Sequence, residues 1–120
     1  VNGNGYTKEA GVIGARQILG SATRPDSIIS LNGQGILGVL EVAIELGFLI
    51  PDDFSVIAFD EQPWSPLINP PMTTIAQPEK EIATRVAEMI GNPGKQTQQI
   101  VSAELISRES VLSRIDTTRS

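Results

Sequence analysis

Two strand-like runs alternate along this chain with two longer runs that have the periodicity of α-helices. Residues 6–19 place their apolar side chains at spacings compatible with one helical face, and a short β-rich run follows at residues 27–31. A second helix is predicted over residues 35–48 and a second strand over residues 54–59. Helix, strand, helix, strand is the order typical of right-handed crossover units, so the sequence predicts an α/β fold with a parallel sheet.

Turn residues mark the ends of these elements. Gly20 and Pro25 end the first helix, Asn32-Gly33 forms a turn after the first strand, and Gly47 lies near the C-cap of the second helix. The inner face of the second helix is predicted to consist of Ile36, Leu40, Ala43 and Ile44. The near-continuous apolar run at residues 54–59 favours a parallel sheet covered on both faces.

The second half of the chain changes character after Asp60. Four prolines within residues 61–72 predict a constrained loop, because proline continues neither a central strand nor a helix. A short extended segment is predicted at residues 73–76, then a helix at residues 78–90 that begins with Pro78. Its predicted inner face comprises Ile82, Val86, Met89 and Ile90. Residues 98–101 and 104–107 read as two short strands or as one strand with an irregular break, and a polar tail follows from about Leu112.

The composition excludes several kinds of site. The chain has no cysteine and no histidine, so it offers no thiolate nucleophile, disulfide, Cys or His zinc site, or Ser-His-Asp triad. Its net charge is −5 and it contains no run of Lys or Arg, which argues against direct contact with nucleic acid. The longest apolar stretch, residues 36–50, contains Glu41 and Glu45 and is too short for a membrane span. The loop-like start at Val1 leads us to expect a fragment of a longer protein.

Several stretches, in order, resemble the LacI/GalR family of bacterial transcription regulators. The three main ones are Leu31-Asn32-Gly33-Gln34, residues 51–61 (Pro-Asp-Asp-Phe-Ser-Val-Ile-Ala-Phe-Asp-Glu) and residues 70–78 (Pro-Pro-Met-Thr-Thr-Ile-Ala-Gln-Pro). Residues 6–11 and 104–110 also match, so the resemblance extends to Ser110. In two places the chain departs from the usual pattern, because Gly33 and Glu61 stand where the family usually has Asp.

The resemblance implies a fold like that of periplasmic binding proteins, in which two α/β lobes with parallel sheets and flanking helices clasp a ligand. Residues 1–110 would be the C-terminal portion of the effector-binding and dimerisation domain, and residues 111–120 a tail. The chain would cross to the other lobe near residues 69–74 and back near residues 103–105. The DNA-binding headpiece and most of the first lobe would lie upstream.

Candidate ligand contacts follow the predicted strands, where open α/β sheets bind their ligands. Asn32 and Asp60 each come directly after a strand, and the resemblance implies that both bind ligand hydroxyls. It also implies that the Tyr6 ring packs on the ligand. Trp64 comes four residues after Asp60 in the proline-rich loop, which makes it a candidate to line the cleft mouth. Each residue has a structural alternative: Asn32 a left-handed turn, Asp60 a cap for backbone N–H groups, Tyr6 packing at a helix start, and Trp64 packing or a subunit interface.

As a whole, the resemblance implies the effector-binding and dimerisation region of a cytoplasmic transcription regulator. It would sense a small molecule, a sugar or derivative, without cofactor, metal, catalytic residues or membrane contact, and would reach operator DNA only through the upstream headpiece. Leu37 and Ile68 match family positions at the homodimer interface. Two other functions stay open: a sugar-binding protein of a transport system, and an enzyme whose only acidic candidates would be Asp53, Asp60 and Glu61.

Overall fold

The computed structural model of the chain describes residues 5–94 and 98–113. Its elements in chain order are α1 (Lys8–Leu19), β1 (Ser27–Ser30), α2 (Gly35–Leu46), β2 (Ser55–Phe59), β3 (Thr73–Ala76), α3 (Glu79–Gly91) and β4 (Glu104–Ile106). Both predicted helix–strand pairs are confirmed, with bounds that differ from the prediction by one or two residues. Gly47 is the C-cap of α2 and has the left-handed backbone, φ 75°, that glycine adopts without steric cost.

The four strands form one sheet in the order β1-β2-β3-β4. The pairs β1–β2 and β2–β3 are parallel, as the crossover pattern predicts, and β4 adds an antiparallel edge to β3. The register places Ile28 beside Val56 and Ser30 beside Ala58. Since paired residues share a face of the sheet, these side chains point to the same side.

The core lies on that side of the sheet, beneath α1 and α2. Ile36, Val42 and Val56 are among its completely buried residues, and Phe54 and Met72 fill its ends. Burial of side chains of this size stabilises the fold by roughly 1.5 to 3 kcal/mol each. The opposite face of the sheet differs from the prediction, because Ile29 on β1 is 57% exposed. The described helices therefore cover one face of the sheet at β1 rather than both.

The helices α1 and α2 approach each other through glycines. A Cβ atom added to Gly38 would lie 2.4 Å from the backbone nitrogen of Val12, and one added to Gly11 would lie 2.4 Å from the carbonyl oxygen of Gly35. These positions therefore admit no larger residue without displacement of a helix backbone. Two exposed ion pairs, Lys8 with Glu41 and Arg16 with Glu45, also join the two helices.

The predicted inner face of α2 is wrong at Ile44, which is 80% exposed. Residues Ile36, Val39 and Ala43 make the buried stripe. Ile44 lies a further 100° around the helix from Ala43, because each residue of an α-helix advances by that angle. It continues instead the stripe of the half-buried Leu37 and Leu40.

The helix α3 forms where predicted, with Pro78 at its N-cap, but its predicted burial is wrong. No residue of α3 is buried, and Val86 and Ile90 are 48% and 77% exposed. Among the described residues, the apolar side of α3 lines a concavity of about 300 Å³ with Gln98, Gln99 and Val101. The strand predicted at residues 98–101 does not form, since no described strand lies beside it to supply a hydrogen-bonded ladder.

The segment after β4 fastens the start of β3 to β2. Ser110 is completely buried; its Oγ donates to the carbonyl oxygen of Val56 at 2.6 Å and accepts from the Thr73 nitrogen at 2.8 Å. Leu112 is also held, because its backbone nitrogen donates to Ser55 Oγ at 2.9 Å. The predicted tail therefore starts as an attached segment, and from residue 114 onward it lies outside the described residues.

Candidate functional site

Three polar side chains follow the three parallel strands at the same edge of the sheet. Asn32 comes after β1, Asp60 directly after β2, and Gln77 directly after β3. Parallel strands end at one edge, which is where open α/β sheets bind ligands. The side chains of Asp60 and Gln77 are in contact, because Gln77 Nε2 donates a hydrogen bond to Asp60 Oδ1.

Asn32 holds the start of α2. Its Oδ1 accepts hydrogen bonds from the backbone nitrogens of Gln34 at 3.0 Å and Gly35 at 2.7 Å, two of the donors that a helix N-terminus leaves unpaired. The alternative of a left-handed turn is wrong, since Asp60 is the one non-glycine residue with positive φ in the described part of the chain and Gly33 is not among the positive-φ glycines. The Nδ2 group of Asn32 is then the part of the side chain that remains for a ligand.

The glycine at position 33 makes room for Gln62. A Cβ atom at Gly33 would lie 2.7 Å from Gln62 Nε2 and 3.2 Å from its Cδ. The Asp that is usual in the resembling family would therefore displace the Gln62 side chain from its place beside the Asn32 turn. The glycine at position 33, where the resembling family usually has Asp, and the position of the Gln62 side chain therefore depend on each other.

Asp60 has a left-handed backbone, with φ 77°. Its nitrogen donates to the carbonyl oxygen of Ile75 at 2.9 Å, which ties it to β3. Asp and Asn adopt this conformation more readily than other residues with a Cβ, at a cost of about 1 to 2 kcal/mol. Asp60 lines a surface concavity of about 510 Å³ together with Glu61, Gln77 and the first residues of α3. The Asp60 carboxylate accepts from the side-chain amide of Gln77 and not from backbone N–H groups among the described contacts, which differs from the alternative of a backbone cap.

Glu61, the next residue, points to a different set of partners. Its Oε2 accepts from Thr74 Oγ1 at 2.6 Å and pairs with Arg108 Nη2 at 3.0 Å. Burial raises the pKa of the Glu61 carboxyl. The hydrogen bonds from Thr74 and Arg108, together with the positive charge of Arg108, lower the pKa by more than burial raises it. The pKa of Glu61 therefore lies below its usual value. Glu61 is therefore an ionised structural acceptor, not a free acid or base.

Tyr6 and Asn32 lie together, apart from Asp60. Both line a concavity of about 480 Å³ between the start of α1 and the end of β1, whereas Asp60 and Gln77 line a separate one. The Tyr6 ring is 82% exposed, so its face is available to a ligand. The structure therefore separates the predicted contacts Tyr6 and Asn32 from the predicted contact Asp60.

The remaining predicted residues lie elsewhere. Trp64 and Ile68 are half-buried and pack against the hydrophobic core, which agrees with the packing alternative for Trp64, and neither lines the concavities at Tyr6 or Asp60. Leu37 is half-buried on α2. Across the described ranges, no three Asp or Glu side chains converge on a point that could hold a metal ion. Within the same ranges, no helix is long and apolar enough to cross a membrane.

Two functional candidates escaped the sequence analysis. Gln77 follows β3 as Asp60 follows β2, and this repeated position was the signal that could have identified it. Arg108 gave no such signal, because it meets Glu61 only after the chain has passed through α3 and β4.

Comparison with known proteins gives the same picture. The model of the periplasmic binding protein-like domain matches residues 2–111. A probable opine utilization operon repressor of Rhizobium rhizogenes is 35% identical over 99 residues, which cover 76% of this chain and 49% of the relative. The chain thus spans about half the length of this curated relative.

Solved structures of LacI-type regulators share the fold. One from Bifidobacterium animalis has a TM-score of 0.81 and 28% identity, covering 93% of this chain and 42% of that one. Another, from Enterococcus faecalis with bound ribose, has a TM-score of 0.75 and 31% identity, covering 89% and 41%. The chain therefore belongs to the LacI/GalR family and forms part of its periplasmic binding protein-like effector-binding domain.

Proposed function

We propose that this chain is the effector-sensing part of a LacI-type transcription regulator whose effector is a sugar or a sugar derivative. The observation that carries the proposal is that Asn32, Asp60 and Gln77 follow three paired parallel strands at the carboxyl-end edge of one sheet. The related regulators from Rhizobium rhizogenes and Enterococcus faecalis support it, the second because it was solved with ribose.

The chemistry of these side chains suits a polyhydroxylated ligand. The two carboxyl oxygens of Asp60 can accept hydrogen bonds from ligand hydroxyls, while the amides of Gln77 and Asn32 donate to hydroxyl oxygens. The exposed ring of Tyr6 offers a flat apolar surface for a sugar's C–H face. These residues form our proposed effector contacts; Trp64 packs on the core, so a ligand role for it stays a prediction that we do not adopt.

We propose that the site forms one side of a cleft between two lobes. The exposed apolar side of α3 supports this, because it indicates that a further part of the protein packs there. An amphipathic helix with an apolar stripe and no buried residue lacks the packing that stabilises such helices in proteins. We propose that this stripe packs in the first lobe, most of which lies upstream of these residues, with crossings near residues 69–74 and 103–105. Ligand would then change the relative orientation of the lobes, and through it the affinity for operator DNA.

We further propose that the regulator is a homodimer. The half-buried Leu37 and Leu40 and the exposed Ile44 follow one another along one side of α2, and Leu67, next to Ile68 in the loop after β2, is also exposed. Exposed apolar side chains of this kind are typical of subunit interfaces. Ile68 itself packs against the core.

In this account the protein acts in the cytoplasm as a regulator, not as an enzyme. Of the three acidic candidates for catalysis, Glu61 is committed to Thr74 and Arg108, and Asp53 Oδ2 accepts from the Leu49 nitrogen at 2.6 Å. Neither carboxylate is free to move a proton in the proposed cleft. Contact with DNA is assigned to a headpiece outside these residues, in keeping with the net charge of −5.

The test uses the full-length gene product and the DNA upstream of its own gene. Fluorescence anisotropy would measure DNA affinity with and without ribose and a panel of other mono- and disaccharides. We expect one sugar to change the DNA affinity by about 5-fold to 150-fold, the usual range of allosteric coupling. Sugar binding without any effect on DNA would favour the transport alternative, and no DNA binding in any condition would contradict the proposal.

A further inference from the structure

The turn after β2 carries a strained residue between two fixed points. Asp60, at φ 77°, is preceded by the β2 ladder and followed by Glu61, whose carboxylate is held by Thr74 and Arg108. Left-handed backbone at a residue with a Cβ persists only where its surroundings determine it. The contacts of Glu61 are therefore candidates for the cause of the Asp60 conformation.

The partners of Glu61 are themselves immobilised. Arg108 Nη1 donates to the carbonyl oxygen of Met72 at 2.7 Å, and the Arg108 nitrogen donates to Thr73 Oγ1 at 2.9 Å. Thr73 is buried and is bonded through its nitrogen to the buried Ser110. The Glu61 carboxylate thus rests on a framework built from the start of β3 and the segment after β4.

The geometry points to Glu61 as a positioning residue, anchored by Thr74 and Arg108, that keeps Asp60 left-handed and its carboxylate at the edge of the sheet. With the anchor in place, the Asp60 nitrogen reaches the carbonyl oxygen of Ile75 and the side chain reaches Gln77. Without it, Asp60 relaxes to an ordinary backbone conformation, and its carboxylate leaves the concavity that it shares with Gln77. The functional meaning of this anchor rests on the proposed role of Asp60 in effector binding.

The position of the anchor also explains why a glutamate serves there. Glu61 Oε2 reaches both Thr74 on β3 and Arg108 beyond β4, so a single carboxylate oxygen joins two segments that are far apart in the chain. Asp60 is thereby placed relative to β3 and to the segment after β4, rather than to β2 alone.

The test compares two backbone amides by hydrogen exchange in the protein without any ligand. The Asp60 amide, bonded to Ile75, reports the turn; the Val56 amide, bonded to the Ser110 carbonyl at 2.9 Å, reports the same sheet away from the turn. In Glu61→Ala we expect the Asp60 amide to exchange about tenfold faster relative to the Val56 amide, as for the loss of a charged hydrogen bond. NMR couplings and Cα shifts should show that Asp60 has left the positive-φ region.

Glu61→Gln, which keeps an acceptor for Thr74, should restore part of the protection, and Thr74→Val provides a milder variant if Glu61→Ala does not fold. Equal acceleration of both amides would mean general destabilisation and would overturn the inference, as would an unchanged Asp60 backbone. Because no ligand is present, this result is independent of effector binding. Loss of the proposed site would appear separately, as sugar affinity that does not respond to Asp60→Ala.

Discussion

At the scale of single residues, the neighbouring carboxylates of Asp60 and Glu61 have different roles: we propose that Asp60 binds the effector and that Glu61 positions Asp60. Both residues line the same concavity, but the Asp60 carboxylate accepts from the Gln77 amide, whereas the Glu61 carboxylate is bonded to Thr74 and Arg108. The two residues follow one another in the turn after β2, so their side chains leave the backbone in different directions and meet different partners. The Asp60 carboxylate has the Gln77 amide as its described side-chain partner, whereas the Glu61 carboxylate is held by both Thr74 and Arg108.

The first prediction concerns the acid stability that Glu61 provides. Since its pKa is lowered in the folded state, its contribution is present above the unfolded pKa, near 4.5, and is lost as the pH falls through the folded value. Glu61→Gln should therefore cost about 1 to 2 kcal/mol at neutral pH, and the difference from wild type should shrink in acid. Urea unfolding from about pH 3 to pH 7 would measure this.

A matched control is Glu45→Gln, which removes the charge from an exposed ion pair with Arg16. Exposed pairs contribute about 0 to 1 kcal/mol, so this variant should lose much less stability than Glu61→Gln. If Glu61→Gln and wild type lost stability in parallel over the whole range, the Glu61 cluster would not be a source of acid sensitivity.

At the scale of elements, the approach of α1 to α2 gives the second prediction. Gly38→Ala introduces a methyl group within 3 Å of three backbone atoms of α1, and backbone cannot move aside as a side chain can. We expect a loss of about 2 to 3 kcal/mol in unfolding free energy. Gly91→Ala is the control, since nothing lies within 4 Å of its Cβ position, and it should be neutral or slightly stabilising. Similar losses in both variants would contradict the close helix contact.

The elements also show which features the sequence could predict. Apolar spacing and turn residues identified α1, β1, α2 and β2, because these signals are local. The helix α3 was predicted from the same kind of signal, but amphipathicity indicates only that a helix has an apolar face, and not what covers it. Residues 98–101 were predicted as a strand from their composition. A strand forms only where another strand pairs with it, and the sequence does not show that pairing.

The candidate site was likewise predictable only where its residues follow local sequence signals. Asn32 and Asp60 were found because each follows a strand, and the parallel arrangement then brings strand ends together. The left-handed backbone of Asp60 and its dependence on Glu61 were not visible, because Arg108 and Thr74 reach Glu61 through pairing of distant segments. Long-range contacts of this kind leave no local pattern.

At the scale of the whole molecule, the third prediction concerns assembly. Ile44→Lys places a charge in the proposed interface on α2 and should weaken dimerisation by at least about tenfold, because a lysine buried without a partner is costly. Ile13→Lys is the control: Ile13 is also exposed and apolar, but it lies on α1. Sedimentation velocity should show dimers for wild type and Ile13→Lys, and mainly monomers for Ile44→Lys. A monomeric wild type, or an unaltered Ile44→Lys dimer, would contradict the interface.

The central claim is that the carboxyl ends of the parallel strands bind the effector, and calorimetric titration of Asp60→Ala tests it most directly. The full-length protein would be titrated with the sugar that changes its DNA affinity, alongside Asp52→Ala, which alters an exposed carboxylate in the turn before β2. Asp60→Ala removes charged hydrogen bonds worth roughly 1.5 to 3 kcal/mol, so we predict about tenfold to hundredfold weaker binding, with Asp52→Ala unchanged. Wild-type affinity in a folded Asp60→Ala protein would contradict the claim.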